Sequence, residues 1–239
     1  MKTEFDEYID GYRSNCDKFL KLSGETSAYF AEYKAQKLAE WFPHQTRSSI
    51  NILDFGCGDG TMTHFVKRYF PKSQVFGMDP SPKSIAEAKS HFPGITFLVS
   101  SDEHTQLGIE DGFFDIIFSA GVFHHIPFSM HEGYIQELMK KLKPGGRLII
   151  FELNPLNPLT VLIFKRNPID RNAKMMWPWY TDQLTQRYGK SCTKFYCFYP
   201  RVLSWLRPTE PYLTKLPLGA LYATIVEKPK SPENYPFKT

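Results

Sequence analysis

Between residues 50 and 152, short and continuously apolar runs alternate with amphipathic segments whose apolar positions recur at helical spacing. The runs at 50–55, 74–78, 95–99, 113–119 and 147–152 predict strands, and the segments 61–69, 82–91 and 130–142 predict helices. Strands without polar alternation are covered on both faces, the pattern of β–α–β units in a doubly wound, Rossmann-like α/β sheet. Ahead of this block the spacing is helical. Thr3 is placed to cap a first helix running towards Leu22, and Ser23-Gly24 interrupts it. A second helix spaces Phe30, Tyr33, Lys37, Leu38 and Trp41 down to the stop at Pro43.

Beyond Asn154-Pro155 the pattern is less regular. Residues 156–164 predict a short apolar helix, 165–178 a loop, and 181–188 a helix with Thr181 as its cap and Gly189 at its C-terminal end. Residues 195–199 and 220–227 predict two more strands, joined by a proline-rich stretch with helical character around 201–205. A helix followed by two strands joined in this way gives such a sheet an antiparallel last pair.

Composition narrows the class. The chain has 239 residues, 42% apolar and 15% aromatic, which supplies a full core and excludes disorder. No apolar run approaches the ~20 residues of a membrane span. Met1-Lys2-Thr3-Glu4-Phe5-Asp6 is too acidic and polar for a secretion signal. Four cysteines, Cys16, Cys57, Cys192 and Cys197, are too few for a disulfide framework, so a cytoplasmic protein with reduced thiols is expected. The net charge of +4 is unevenly spread: residues 1–154 carry 16 Lys and Arg against 20 Asp and Glu, and residues 155–239 carry 13 against 5. The basic C-terminal third is either a solvated face or the place where an anionic small molecule or lipid surface is met. The dense basic clusters of a nucleic-acid binder are absent from the sequence.

The most informative segment is Ile52-Leu53-Asp54-Phe55-Gly56-Cys57-Gly58-Asp59-Gly60, a strand that ends in alternating glycines before a helix at Thr61. Such a turn lets backbone approach a ligand closely, and the helix beyond it offers unpaired N–H groups. Its spacing is G-x-G-x-G, not the G-x-G-x-x-G of dinucleotide sites, which disfavours a nicotinamide-dependent oxidoreductase. Asp54, just ahead of the turn, suits a cationic or amino-bearing ligand. Met78-Asp79-Pro80 places another acid at the end of the second strand. There a carboxylate either accepts both ribose hydroxyls of an adenosine or caps the helix beginning near Ser81. In combination with the turn, the ribose reading leads.

Four segments in this order and spacing resemble the class I S-adenosylmethionine-dependent methyltransferases over about residues 50–152: Ile52 to Gly60, Asp79, Asp111-Gly112-Phe113-Phe114-Asp115, and Leu142-Lys143-Pro144-Gly145-Gly146. Phe151-Glu152-Leu153-Asn154-Pro155 is similar to the Phe-Glu-His-Asn-Pro motif of a small bacterial subgroup of the methyltransferase type 11/12 kind, with Leu153 in the histidine's place. Ser23-Gly24-Glu25, Tyr29-Phe30 and Leu216-Pro217-Leu218-Gly219-Ala220 also look like that subgroup. The resemblance implies a seven-stranded sheet with an antiparallel last strand, in one domain: a helical cap (1–46), a cofactor-binding core (47–154), and a methyl-acceptor-side insert with the last strands (155–239). It implies S-adenosylmethionine as cofactor. The backbone of Gly56, Cys57, Gly58 and Gly60 would carry its methionine portion, and Asp79 with Pro80 its ribose. Asp102 (Glu103 by the other count) would lie near the adenine, and Ser119-Ala120-Gly121-Val122 along the methionine tail.

Methyl transfer from a sulfonium needs alignment and a dry pocket, and a hydroxyl that receives the methyl is helped by a base. Phe123-His124-His125-Ile126, after the fourth strand, offers imidazoles of suitable pKa that act as catalytic base or else orient and pack. No cysteine or carboxylate completes a metal set with His124, His125 and His131 at a recognised spacing, so no metal is expected. Glu152 and Asn154, at the end of the fifth strand, either hydrogen-bond the methyl acceptor or, for Asn154, shape the turn before a proline. Tyr8 and Tyr12, a helical turn apart, either reach the sulfonium end or pack in the core. Residues 157–180, with Met175-Met176-Trp177-Pro178-Trp179, are long for a connection and predict a wall or lid, apolar if exposed. The expected function is methyl transfer to a small or medium molecule, favouring a hydroxyl on an anionic or lipid-linked metabolite. The alternative is a catalytically silent cofactor-binding protein.

Overall fold

A computed structural model describes residues 12–100 and 109–231, except the side chains of 12–15 and 22. Thr3, Tyr8, Asp102 and Glu103 therefore lie outside the described residues, as does the side chain of Tyr12. The helices are α1 (Tyr12–Leu20), α2 (Ser27–Trp41), α3 (Thr61–Tyr69), α4 (Pro82–His91), α5 (His131–Lys141), α6 (Pro158–Arg166), α7 (Pro178–Gln186) and α8 (Glu210–Leu213). The strands are β1 (Asn51–Phe55), β2 (Gln74–Asp79), β3 (Thr96–Val99), β4 (Phe114–Ala120), β5 (Leu142–Leu153), β6 (Lys190–Tyr196) and β7 (Leu221–Glu227).

The strands form one sheet in the order β3-β2-β1-β4-β5-β7-β6. β1 to β5 run parallel, and β7 lies antiparallel between β5 and β6, as the resemblance implied. Alternation along each strand fills two apolar layers. Ile52, Ile116, Phe118, Ile149 and Phe151 meet Leu38, Phe42, Val66 and Phe70 on the α2–α3 side. Leu53, Ile117, Leu148 and Ile150 meet Ile135 and Leu138 of α5 on the other. Because β1 sits between β2 and β4, the connections from these strands diverge and open a crevice beyond their C-terminal ends.

Three boundaries differ most from the sequence reading, each for a physical reason. β5 begins at Leu142 and runs through Lys143-Pro144-Gly145-Gly146, so α5 stops a residue early. The register slips between Phe114 and Ile116 of β4, and Gly145 sits at φ +78°, which marks a bulge in the strand. β6 begins at Lys190, well before the apolar run that was read as its start. It is an edge strand, and edges carry the polar residues seen at Lys190, Ser191, Thr193 and Lys194. α7 begins at Pro178, whose fixed φ suits a first helical turn, instead of at Thr181.

Candidate functional site

The turn after β1 is held by backbone from β2. The N–H groups of Gly56 and Cys57 both donate to Met78 O, at 2.8 and 3.0 Å. Gly58 N–H donates to Asp79 Oδ2 at 2.9 Å, and Ser81 N–H donates to Asp79 Oδ1 at 2.9 Å. Asp79 thus ties the turn to the start of α4 while its carboxylate borders the crevice. Gly56 stands at φ +78°, and a Cβ there would run into Val122, so this position admits no side chain. Gly58 stands at φ +53°, and a Cβ there would meet nothing within 4 Å. Bare backbone at Gly58 faces open cavity.

Asp54 lies at the floor, 2% exposed, and its Oδ2 accepts from Thr63 Oγ at 2.6 Å. Burial pushes its pKa up from 3.8 to about 7, against the Thr63 hydrogen bond and the positive charge of Lys34. Cys57 is buried, and burial holds its thiol well above the usual range. Gly60 closes the turn, with its N–H on Cys57 O at 3.0 Å and its carbonyl accepting from His64 at 2.9 Å. Of the β4 segment, Ala120, Gly121 and Val122 line the cavity, while the Ser119 hydroxyl is buried without a hydrogen-bond partner among the described residues.

A second group gathers where β4 and β5 end. His124 and His125 occupy a short 3-10 turn, Phe123–His125, directly after β4. His124 Nδ1 lies 2.6 Å from Glu152 Oε2, and its backbone N–H reaches Oε1 at 3.4 Å, both residues being buried. Asp170, on a 3-10 turn after α6, brings Oδ1 to 3.5 Å from Nε2 of both histidines. Burial alone would lower the pKa of His124, but the carboxylates of Glu152 and Asp170 outweigh it and lift it to about 10. His124 is therefore an imidazolium near neutrality, oriented and charged. His131 faces elsewhere: its Nε2 is 2.9 Å from both Phe123 O and Ile126 O, and its Nδ1 is 3.1 Å from Tyr180 Oη, so it staples the loop.

Asn154 takes the turn-shaping role among its two readings. Its buried amide donates to Pro217 O and Gly219 O at 3.1 and 2.7 Å, while its carbonyl accepts from Leu156 N–H at 3.1 Å. Glu152 spends its carboxylate on His124 and faces no open space of its own.

One cavity of about 540 Å³ joins both groups, bordered by Asp54, Gly58 and Asp79 on one side and His124, His125 and Asp170 on the other. Pro80 also borders it. Its wall comes from the first half of the predicted insert, Leu159, Ile163 and Phe164 of α6, and from Phe30 and Lys34 of α2. The Met175 to Trp179 stretch does not form that wall. Met176 is core, and Trp177 and Trp179 stack on the exterior at 4.5 Å between centroids. Sequence reasoning passed over Lys34, Thr63 and Asp170. Lys34 follows Phe30 by one helical turn, so the signal for its face was present; burial lowers its pKa while Glu152 and Asp54 oppose that shift.

Bare backbone at Gly58, an acid at the floor and a carboxylate at the end of β2 fit an adenosine-bearing cofactor with a cationic tail. Residues 52–146 match a methyltransferase domain family. Trans-aconitate 2-methyltransferase of Rhodopseudomonas palustris (strain BisA53) is 26% identical over 153 residues, 63% of this chain and 54% of that protein. tRNA U34 carboxymethyltransferase of Hahella chejuensis is 33% identical over 150 residues, 59% of this chain and 43% of that protein. The chain thus spans about half the length of the curated relatives it matches. A SAM-dependent methyltransferase from Thermotoga maritima superposes with a TM-score of 0.64 at 17% identity, covering 94% of this chain and 98% of that one. That likeness is one of fold.

Proposed function

We propose that this chain, residues 52–146 of which match a methyltransferase domain family, is a class I S-adenosylmethionine-dependent methyltransferase that methylates an oxygen of a small anionic molecule. The observation that carries this reading is that one cavity runs from the glycine turn to His124, His125 and Lys34. S-adenosylmethionine supplies an activated methyl on a sulfonium. Asp79, with the Gly58 N–H, is the ribose partner, and Asp54 favours the cationic amino end. Lys34 and the imidazolium of His124 draw a carboxylate or phosphate group into the far half and fix its position. Phe30, Ile163 and Phe164 exclude water from the space between. His124, protonated, orients and neutralises; the role of base falls to His125, the more exposed of the pair. Trans-aconitate, the substrate named for one relative, is itself a carboxylate.

Calorimetric titration with S-adenosylmethionine, S-adenosylhomocysteine and NADH tests the cofactor, and micromolar binding of the first two alone is expected. A methyl-transfer screen then compares carboxylate-bearing molecules with their neutral esters, in wild type and Lys34→Ala. Anionic substrates are expected to lead, with KM raised about tenfold in the variant, near the 1.4 kcal/mol of one charge contact. Equal use of the neutral esters, or an unchanged KM, would refute the anionic reading. Cofactor binding without transfer to any compound would favour the silent alternative.

A further inference from the structure

Among the described residues, one group of three His, Cys, Asp or Glu side chains offers ligand atoms within 4.8 Å of one another: His124, His125 and Asp170. Both imidazoles turn Nε2 to the same oxygen, Asp170 Oδ1, at 3.5 Å each. That separation is long for an N–H···O hydrogen bond, whose usual range ends near ~3.2 Å. It matches the roughly 3.4 Å edge of a tetrahedron whose centre stands about 2.05 Å from each vertex, the distance zinc keeps to imidazole nitrogen and carboxylate oxygen.

The surroundings are those of ligands held from behind. His124 presents Nδ1 to Glu152 at 2.6 Å, which fixes the ring and leaves Nε2 towards Asp170. A carboxylate behind a ligating imidazole is the usual outer support of a metal-bound histidine. Asp170 is held likewise: its Oδ2 accepts from Asn167 Nδ2 at 2.7 Å, and Asn167 Oδ1 accepts from Ile169 N–H at 3.3 Å, which locks the turn. All three side chains border the cavity. Sequence spacing hid the set, because the carboxylate arrives from the turn after α6, far along the chain from the histidine pair.

We propose that His124 Nε2, His125 Nε2 and Asp170 Oδ1 form a three-ligand site for a first-row divalent transition metal, zinc(II) foremost, with its remaining position open to the cavity. Two imidazoles and one carboxylate suit such metals better than calcium or magnesium, which take oxygen shells. Three protein ligands with one open position is the arrangement that binds a further molecule, whereas structural sites close with four. The open position would take an anionic oxygen entering the cavity. A metal here would take the Nε2 lone pairs of both histidines, displacing the proton that makes His124 an imidazolium and withdrawing His125 from the role of base, so the metal-bound and metal-free forms are alternatives at the same side chains, whichever molecule is methylated.

The test uses the untagged full chain, stripped with EDTA and desalted, then titrated with zinc(II) by calorimetry and with cobalt(II) by visible absorption. One equivalent binding with micromolar or tighter affinity is expected, with cobalt bands of low-symmetry tetrahedral ligation. His125→Ala and Asp170→Ala should each remove the bands, and Glu152→Gln should weaken zinc by roughly 10–100-fold, the usual effect of losing outer support. Each variant is checked by circular dichroism and by S-adenosylhomocysteine titration, so loss of fold or of the cofactor site is read separately from loss of metal. If His125→Ala does not fold, His125→Gln replaces it. No zinc binding by folded wild type, or binding that both ligand variants leave unchanged, would overturn the proposal.

Discussion

Replacing Asp54 by asparagine separates what the fold wants at this position from what the ligand wants. Asp54 is buried at the end of β1, and burial raises its pKa from 3.8 to about 7. An acid whose folded pKa is raised destabilises the folded state wherever it is forced to ionise. The effect is absent below the unfolded pKa, grows between the two values, and is complete above the folded one. At 1.36 kcal/mol per unit, the ionised form costs about 4 kcal/mol at pH 8 and a little under 2 kcal/mol at pH 5. The asparagine carries no charge, and its carbonyl still accepts the Thr63 hydroxyl, whose bond to Asp54 measures 2.6 Å. The new amide N–H groups, if left unpaired, cost about 1–3 kcal/mol at every pH. The signature is therefore a slope. The stability of Asp54→Asn relative to wild type should rise by roughly 3 kcal/mol between pH 5 and pH 8. Urea unfolding at both pH values measures it, and S-adenosylhomocysteine affinity of the variant at pH 8 should fall at least tenfold. Parallel pH curves for the two proteins would refute the reasoning, because they would mean that Asp54 is ionised in the fold without penalty.

The same logic runs the other way at His124. Its folded pKa of about 10 exceeds the usual 6.5, so its stabilisation is complete below pH 6.5 and is lost as pH rises through 10. Metal-free wild type should thus lose stability across that window more steeply than Glu152→Gln in urea melts, and Glu152→Ala, which strands a buried partner, should cost about 3–5 kcal/mol at pH 6.5. Gly58→Val meets no packed atom but forces φ +53° on a branched residue. A loss of about 1–2 kcal/mol in stability with abolished S-adenosylhomocysteine binding is expected. Asp79→Ala removes the oxygens that receive Gly58 N–H and Ser81 N–H, and calorimetry should find a folded protein whose cofactor affinity has dropped at least tenfold.

The parts legible in the sequence were those written in local pattern. The apolar runs at Ile52 and Ile149, the glycine turn and Asp79 each declare themselves within a few residues, and the sheet order follows from such units. β6 was displaced because an edge strand needs only one apolar face, so Lys190 to Lys194 gave no run to read. The pairing of His124 with Glu152 and Asp170 was invisible for another reason: it is created by three chain segments meeting at the end of the sheet. Asn154 shows the same limit. Its position before a proline was plain, yet only packing sends its amide to Pro217 O and Gly219 O.

The placement of β7 sets the order in which the molecule can be assembled. β6, made earlier, is joined to the sheet only through β7, whose residues Leu221 to Val226 are buried between its two neighbours. A nascent chain that has just finished β6 therefore has nowhere to put it, and β5 meanwhile exposes the edge that Ile149, Ile150 and Phe151 will share with β7. Parallel pairing among β1 to β5 can proceed, but sheet closure waits for the seventh strand to emerge and is slow, as pairing over long sequence separations is. The open β5 edge is the point at which a folding intermediate of this chain would pair with another copy of itself.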